Sequence, residues 1–312
     1  MPFTSATPAK VSRIGIRRTL MRQTLRQAQG KLFARVGDGH LETRERKDPI
    51  MKLTMGCTTR PFQDVSFAEA CRHIAAAGYT DVAIFRGIEP DSSREDVLAM
   101  RQLAADAGLA PSMLLARAPL ELGPELALTA YRQLIDHAVA LGADWLLDLG
   151  TGQEVFRDRY VSLMRQAAPY AQQAGIGISV KPHGGITRTS DDLIAVHKAV
   201  GHPAFSICYD PGNIIYYTQG AERPEDHISR VAPLVTTGII KDCIVRGGVP
   251  DVMITPGAGW VDFTRVLSAL AEAGFDGPFY LETVGGETIE EIDRNVQGTW
   301  LYIAEILARL PE

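Results

Sequence analysis

Four short stretches hold the polar residues that could do chemistry: KPHGG at 181–185, YDPGN at 209–213, KD at 241–242 and YLET at 280–283. Removing a proton next to a carbonyl needs a base, a proton donor and a fixed positive charge beside the developing oxyanion. In that chemistry Glu282 is the expected base and His183 or Lys241 the proton donor. Lys181 is the fixed charge, and Asp210 is the group holding Lys181 in place. A competing reading makes Lys181 the partner of Asp210 or Glu282 in an ion pair that merely neutralises buried acids.

Around these residues lie candidates for holding a substrate. Gly184 and Gly185 let the backbone turn sharply or approach a ligand, and the loop runs on through Thr187, Arg188 and Thr189. Arg188, with Arg60 and Arg86, could receive a phosphate or carboxylate, or be a solvated loop charge. Asn213 and Tyr216, with Tyr217 and Thr218 in NIIYYTQG, suit sugar stacking and hydroxyl recognition; ordinary packing of a loop onto a helix is the alternative. His40, His73, His137, His197, His202 and His227 fall within residues 1–50, in helices or away from these stretches, and are read as structural or solvated.

The elements that must position these residues repeat. From Met51 onward, short apolar runs alternate with amphipathic stretches that mostly end in glycine. MKLTMGC (51–57), TDVAIF (80–85), LAPSMLL (109–115), ADWLLDL (143–149), IGISV (176–180), FSICYD (205–210), TGIIKD (237–242) and PFYLE (278–282) read as strands. Between them lie predicted helices over 66–78, 92–107, 124–141, 156–174, from Ser190, 224–235, 262–273 and 287–310. Eight such units over 262 residues predict an α/β fold, a single-domain (β/α)8 TIM barrel, close to the ~250 residues usual for it. An open doubly wound sheet would carry a glycine-rich phosphate turn after its first strand, where this chain has TTRPFQD. In a barrel the chemistry sits where strands end, which singles out Asp148, Lys181, His183, Asp210, Asn213, Lys241, Asp242 and Glu282. Period-two alternation puts Ser179 with Lys181, Cys208 with Asp210 and Tyr280 with Glu282, so that Lys181, Asp210 and Glu282 should meet at the mouth.

Residues 1–50 differ from the rest, with 11 Lys/Arg against 4 Asp/Glu and no acid before Asp38. They are read as a disordered leader, or one mis-annotated ahead of a true start at Met51. The remaining 262 residues carry 21 Lys/Arg against 33 Asp/Glu, a net of −12, which disfavours nucleic-acid binding. Cys57, Cys71, Cys208 and Cys243 form no CxxC pair, so a reducing, cytoplasmic setting is expected. No apolar run approaches the ~20 residues a membrane span needs.

YDPGN, KD, PGAGWVDF (256–263) and YLET, in that order, resemble the sugar phosphate isomerase/epimerase family of xylose isomerase-like TIM barrels, over about residues 51–310. The resemblance implies one divalent metal held by a Glu ending strand five, an Asp ending strand six, a His on strand seven and a Glu ending strand eight. Asp210 and Glu282 match two of these positions, while Lys181 stands at the third and Ile239 at the fourth. A protonated ammonium and an isoleucine bind no metal. The cofactor expectation is therefore either one divalent ion (Mn, Mg or Zn), with His183 joining Asp210 and Glu282 as a third ligand and water completing the shell, or none, with Lys181 supplying the charge. The resemblance implies an isomerase or epimerase of carbohydrate metabolism, acting on a sugar or sugar phosphate, with a homo-oligomer left open. A lyase or dehydratase sharing the enolate step, or a non-catalytic sugar-binding barrel, are the alternatives.

Overall fold

The computed structural model describes residues 54–310. The readings made for residues 1–50, and the opening residues of the first expected strand, lie outside this range. Strands β1 (Met55–Thr58), β2 (Asp81–Ile84), β3 (Ala110–Ala116), β4 (Trp145–Asp148), β5 (Gly177–Val180), β6 (Phe205–Tyr209) and β7 (Val235–Ile240) are joined by β10 (Phe279–Leu281). Each pairs in parallel with its neighbour and β10 closes the ring between β7 and β1, giving a (β/α)8 barrel. The additional strands β8 (Ile244–Arg246) and β9 (Val249–Asp251) form an antiparallel hairpin in the segment after β7.

The outer layer is α1 (Phe67–Ala76), α2 (Arg94–Asp106), α3 (Pro124–Leu141), α4 (Arg157–Gln173), α5 (Ser190–Val200), α7 (Pro224–Val231), α8 (Phe263–Glu272) and α9 (Ile289–Leu307). Their starts follow from capping. Ser66 accepts from the Glu69 amide while Glu69 reaches back to Ser66, and Thr288 does the same with Glu291. At α5 the cap is Thr189 rather than Ser190, because Thr189 and Asp192 make the reciprocal pair and Ser190 is already helical. Helix α3 begins at Pro124 and stops at Gly142, whose φ of 82° suits a glycine. No helix among the described residues is long and apolar enough to cross a membrane.

One helix was not expected. Residues 211–218, which the sequence reading assigned to no strand or helix, form α6 (Pro211–Thr218), started by Pro211 and capped by the Asp210 carboxylate on the Asn213 amide. The side chain that ends β6 therefore also fixes the helix that follows it. Inside the barrel, Ala83, Met113, Leu147, Cys208, Ile239 and Tyr280 form one packed cluster. Trp145 packs across Gly177, where a Cβ would lie 2.2 Å from the indole. Ser179 and Thr237 share a hydrogen bond of 2.7 Å, and Ser112 and Tyr280 one of 2.8 Å.

Candidate active site

Four of the strand-end residues lie two positions beyond an interior residue: Lys181 after Ser179, Asp210 after Cys208, Lys241 after Ile239 and Glu282 after Tyr280. Strand parity therefore carries all four to the centre of the mouth. Glu282 is held by both lysines: one oxygen accepts from Lys181 and the other from Lys241 at 2.7 Å. Asp210 faces Lys181 at 3.3 Å and Lys241 at 4.0 Å. Two lysines and two carboxyl groups thus make a compact tetrad whose formal charges sum to zero, and no member's side chain is more than 4% exposed.

Asn213 braces the tetrad. Its carbonyl oxygen accepts from Lys241 at 3.1 Å, and its amide donates to the Pro182 carbonyl at 2.8 Å. The residue expected to touch substrate thus links Lys241 to the KPHGG segment. Gly212 permits this packing, since a Cβ there would stand 2.7 Å from the Lys241 carbonyl oxygen. Each ammonium has three N–H groups and two hydrogen-bond acceptors within reach among the described residues, which leaves one donor on each for a ligand oxygen.

The electrostatics follow from burial and pairing. Burial by itself would strip the proton from Lys181, but Glu282 and Asp210 together outweigh it and raise its pKa above a lysine's ordinary value. Burial likewise opposes ionisation of Glu282, and Lys181 and Lys241 overcome it, holding the carboxyl well below the usual range. Asp210 goes the other way: its burial exceeds what the more distant lysines return, and its pKa is raised. Glu282 is accordingly an anion with both oxygens occupied and little proton affinity, which suits a clamp better than the general base expected of it.

His183, half-buried, lies close enough to the tetrad to feel the charges of Lys181, Glu282 and Lys241. Burial, followed by the charge of Lys181, lowers its pKa to about 4, so the imidazole is neutral near pH 7. Its ring tilts against Tyr217 at 5.3 Å, and Tyr217 in turn meets Tyr216 edge-on at 5.0 Å. The phenol of Tyr217, pushed up to about 12 by burial, feels Lys181, Asp210 and Glu282. Tyr217, which also packs on His183, is thus a tyrosine of α6 within the field of the tetrad. Phe85, two residues beyond interior Ala83, places its ring 5.8 Å from the Lys181 ammonium. Phe85 and Arg117 escaped the sequence reading. Parity along β2 and β3 (Ala83 to Phe85, Met113 to Leu115 to Arg117) was the available signal, and the charge of Arg117 acts on His183.

Other expected residues do not join the site. Arg60 and Arg188 are exposed in the loops after β1 and β5, and neither guanidinium bonds to the tetrad. Asp148 points out of the barrel, because its neighbour Leu147 takes the interior position. Asp242 also turns away, collecting the amides of Cys243, Gly257, Gly259 and Val261 at 2.8–3.0 Å, and so shapes the PGAGWV loop. The metal triad is not formed either. Among the described residues no three His, Cys, Asp or Glu side chains are grouped to hold an ion. The physical reason is that the oxygens of Asp210 and Glu282 are turned to two ammoniums, and Ile239, at the strand-seven position, is packed in the interior cluster.

A family model described as xylose isomerase-like TIM barrel matches residues 71–302. The chain belongs to this family. No curated protein sequence matches it. Among solved structures, a xylose isomerase-like TIM barrel protein from Mycobacterium smegmatis in complex with magnesium superposes with a TM-score of 0.69 at 20% identity, over 82% of this chain and 97% of that one. D-psicose 3-epimerase with D-tagatose from Clostridium cellulolyticum gives 0.68 at 15% identity, over 82% and 99%. The probable 3-DHS dehydratase AsbF from Bacillus anthracis gives 0.64 at 15%, over 78% and 98%. At these identities the likeness is one of fold, and the members that share it include sugar epimerases and a dehydratase.

Proposed function

We propose that the barrel mouth moves a proton next to the carbonyl of a carbohydrate or related polyol, as an isomerase or epimerase does, with Lys181 and Lys241 as the electrophilic pair. The observation that carries this reading is the clamping of one buried glutamate by two ammoniums at the place where the strands end. Each lysine's remaining N–H would donate to the carbonyl oxygen of the substrate. As the neighbouring C–H bond breaks, its electron pair passes to that oxygen, and the enediolate charge forms beside two fixed cations. His183, neutral and close to the tetrad, would take the proton and return it to the adjacent carbon or to the other face. Its low pKa makes the imidazole about as strong a base as a free carboxylate, which Glu282 is not. Glu282 and Asp210 then hold the lysines in position.

The two carboxylates that the family resemblance would give to a divalent ion are neutralised by lysines here, so the residues present do not fit that ion and no step is routed through it. One observation favours a second reading: Lys181 is only 2% exposed and its charge is already compensated, as in a carbohydrate-binding barrel whose tetrad is a strut. The test is solvent-deuterium incorporation into a panel of keto-sugars by chelator-treated protein. Deuterium should enter next to the carbonyl, and Lys181→Met should slow its entry by about 10²–10³-fold. Saturable sugar binding without exchange would establish the strut, an unsaturated product would establish the lyase alternative, and dependence on added Mn²⁺ would return the charge role to a metal.

A further inference from the structure

Asp148 is a buried carboxylate that this chemistry does not use. Its carboxylate is fully buried behind β4, accepting from Tyr160 of α4 at 2.6 Å and Tyr131 of α3 at 2.9 Å. The third donor is different in kind: the backbone amide of Gly150, at 2.7 Å, belongs to the loop after β4. That loop is locked to the one carrying His183. Thr151 accepts the Ile186 amide at 3.1 Å, and a Cβ on Gly185 would stand 2.3 Å from the Thr151 oxygen. Gly150, at φ 66°, lies so close to Thr187 that a Cβ would meet its methyl at 2.6 Å. Thr187 completes the chain, because its hydroxyl oxygen accepts the His183 amide and donates to the Gly184 carbonyl, each at 3.1 Å. On the strand itself, the Asp148 carbonyl accepts the Lys181 amide at 3.0 Å.

We propose that Asp148 is a positioning residue for the active site: by holding the Gly150 amide it fixes the loop after β4, against which the KPHGG loop sets His183 near the lysine pair. The inference rests on the proposed role of His183, but its structural half can be measured with no substrate present. A carboxylate that served only as cement between α3, α4 and β4 would need its two tyrosines and nothing from Gly150. The amide contact aims part of its bonding capacity at the mouth. An asparagine could keep this link, since its single oxygen can still accept from Gly150, and an alanine could not.

The experiment compares Asp148→Ala, Asp148→Asn and Tyr131→Phe with the wild-type protein by NMR, reading amide exchange at Gly150, His183 and Ile186 and the ring signals of His183, which lie in the field of Tyr217. Asp148→Ala should speed exchange at the three amides by about ten- to a hundredfold and collapse the Tyr217-induced shift of His183. Asp148→Asn should restore both, and Tyr131→Phe should lower the melting temperature while leaving His183 unmoved. Unchanged loop exchange in Asp148→Ala, or equal loosening in all three variants, overturns the proposal. Should Asp148→Ala fail to fold, Gly150→Ala presses on Thr187 and strains the amide at φ 66° while leaving the carboxylate present, and an undisturbed His183 there is equally fatal. If deuterium exchange into sugars is found, Asp148→Ala should lower kcat with little change in KM, and Asp148→Asn should recover it. A loop that loosens as described in a protein with no such activity would sink the proposed function and leave the positioning role standing.

Discussion

Replacing Lys181 by methionine is the sharpest test of the tetrad. In the wild-type protein two lysines and two carboxyl groups, none more than 4% exposed, carry formal charges that sum to zero. Without Lys181 one oxygen of Glu282 loses its partner, Asp210 is left with Lys241 at 4.0 Å, and the barrel mouth holds one uncompensated negative charge. Breaking a buried pair in this way costs about 3–5 kcal/mol. For a domain of this size that lowers the melting temperature by roughly 10 °C, at about 2–4 °C per kcal/mol. The stranded carboxylates should then hold protons more tightly when folded than when unfolded. The deficit of Lys181→Met is therefore smallest at acidic pH and grows as pH rises through the raised folded-state pKa. Adding Glu282→Gln removes the surplus charge and leaves Lys241 opposite Asp210. The double variant should be more stable than the sum of the single costs predicts, by about 1–3 kcal/mol. Urea unfolding followed by circular dichroism at pH 5 and pH 7.5 measures all four corners of the cycle. Single costs below about 1 kcal/mol, or a strictly additive double variant, would show that these charges are solvated and that the tetrad does not exist as described.

Further outcomes follow from the same geometry. His183, at about 4 in the folded state against an ordinary 6.5, makes wild-type stability fall as pH drops from 6.5 towards 4; His183→Gln should lose that slope and gain up to about 3 kcal/mol on the wild type at the acid end, read by thermal melts across that range. Asp148, raised to about 6 chiefly by burial, acts in the opposite sense between 3.8 and 6, so Asp148→Asn should steepen the acid loss by a similar amount. Asp242→Ala orphans four loop amides and should cost about 3 kcal/mol or more, with new protease cleavage between residues 251 and 261 in a timed digest. Gly212→Ala, whose Cβ would stand 2.7 Å from the Lys241 carbonyl, should destabilise by about 1–3 kcal/mol and slow any exchange activity with it.

The barrel was legible in the sequence because its signals are local. Ser66 with Glu69, Pro124 with Gly142, and runs such as FSICY each declare an element within a few residues. The same local rule, alternation along a strand, sent Lys181, Asp210 and Glu282 to one face. It could equally have excluded Asp148, which follows interior Leu147 by a single position and so points to the helices. Helix α6 was missed because its start is written in Asp210, a residue already assigned to the strand end.

What the chain alone could not settle was who pairs with whom. Lys181 and Glu282 are 101 positions apart, and only closure of the barrel by β10 decides that one glutamate is shared by two lysines. Protonation follows that choice: Glu282, with both cations close, has its pKa lowered, while Asp210, with the same cations farther off, has its pKa raised. Residue type and spacing determine which side chains reach the mouth, since backbone geometry repeats every few residues. Distances of an ångström between groups from different strands, and the burial around them, determine what those side chains can do, because electrostatic energies depend on both.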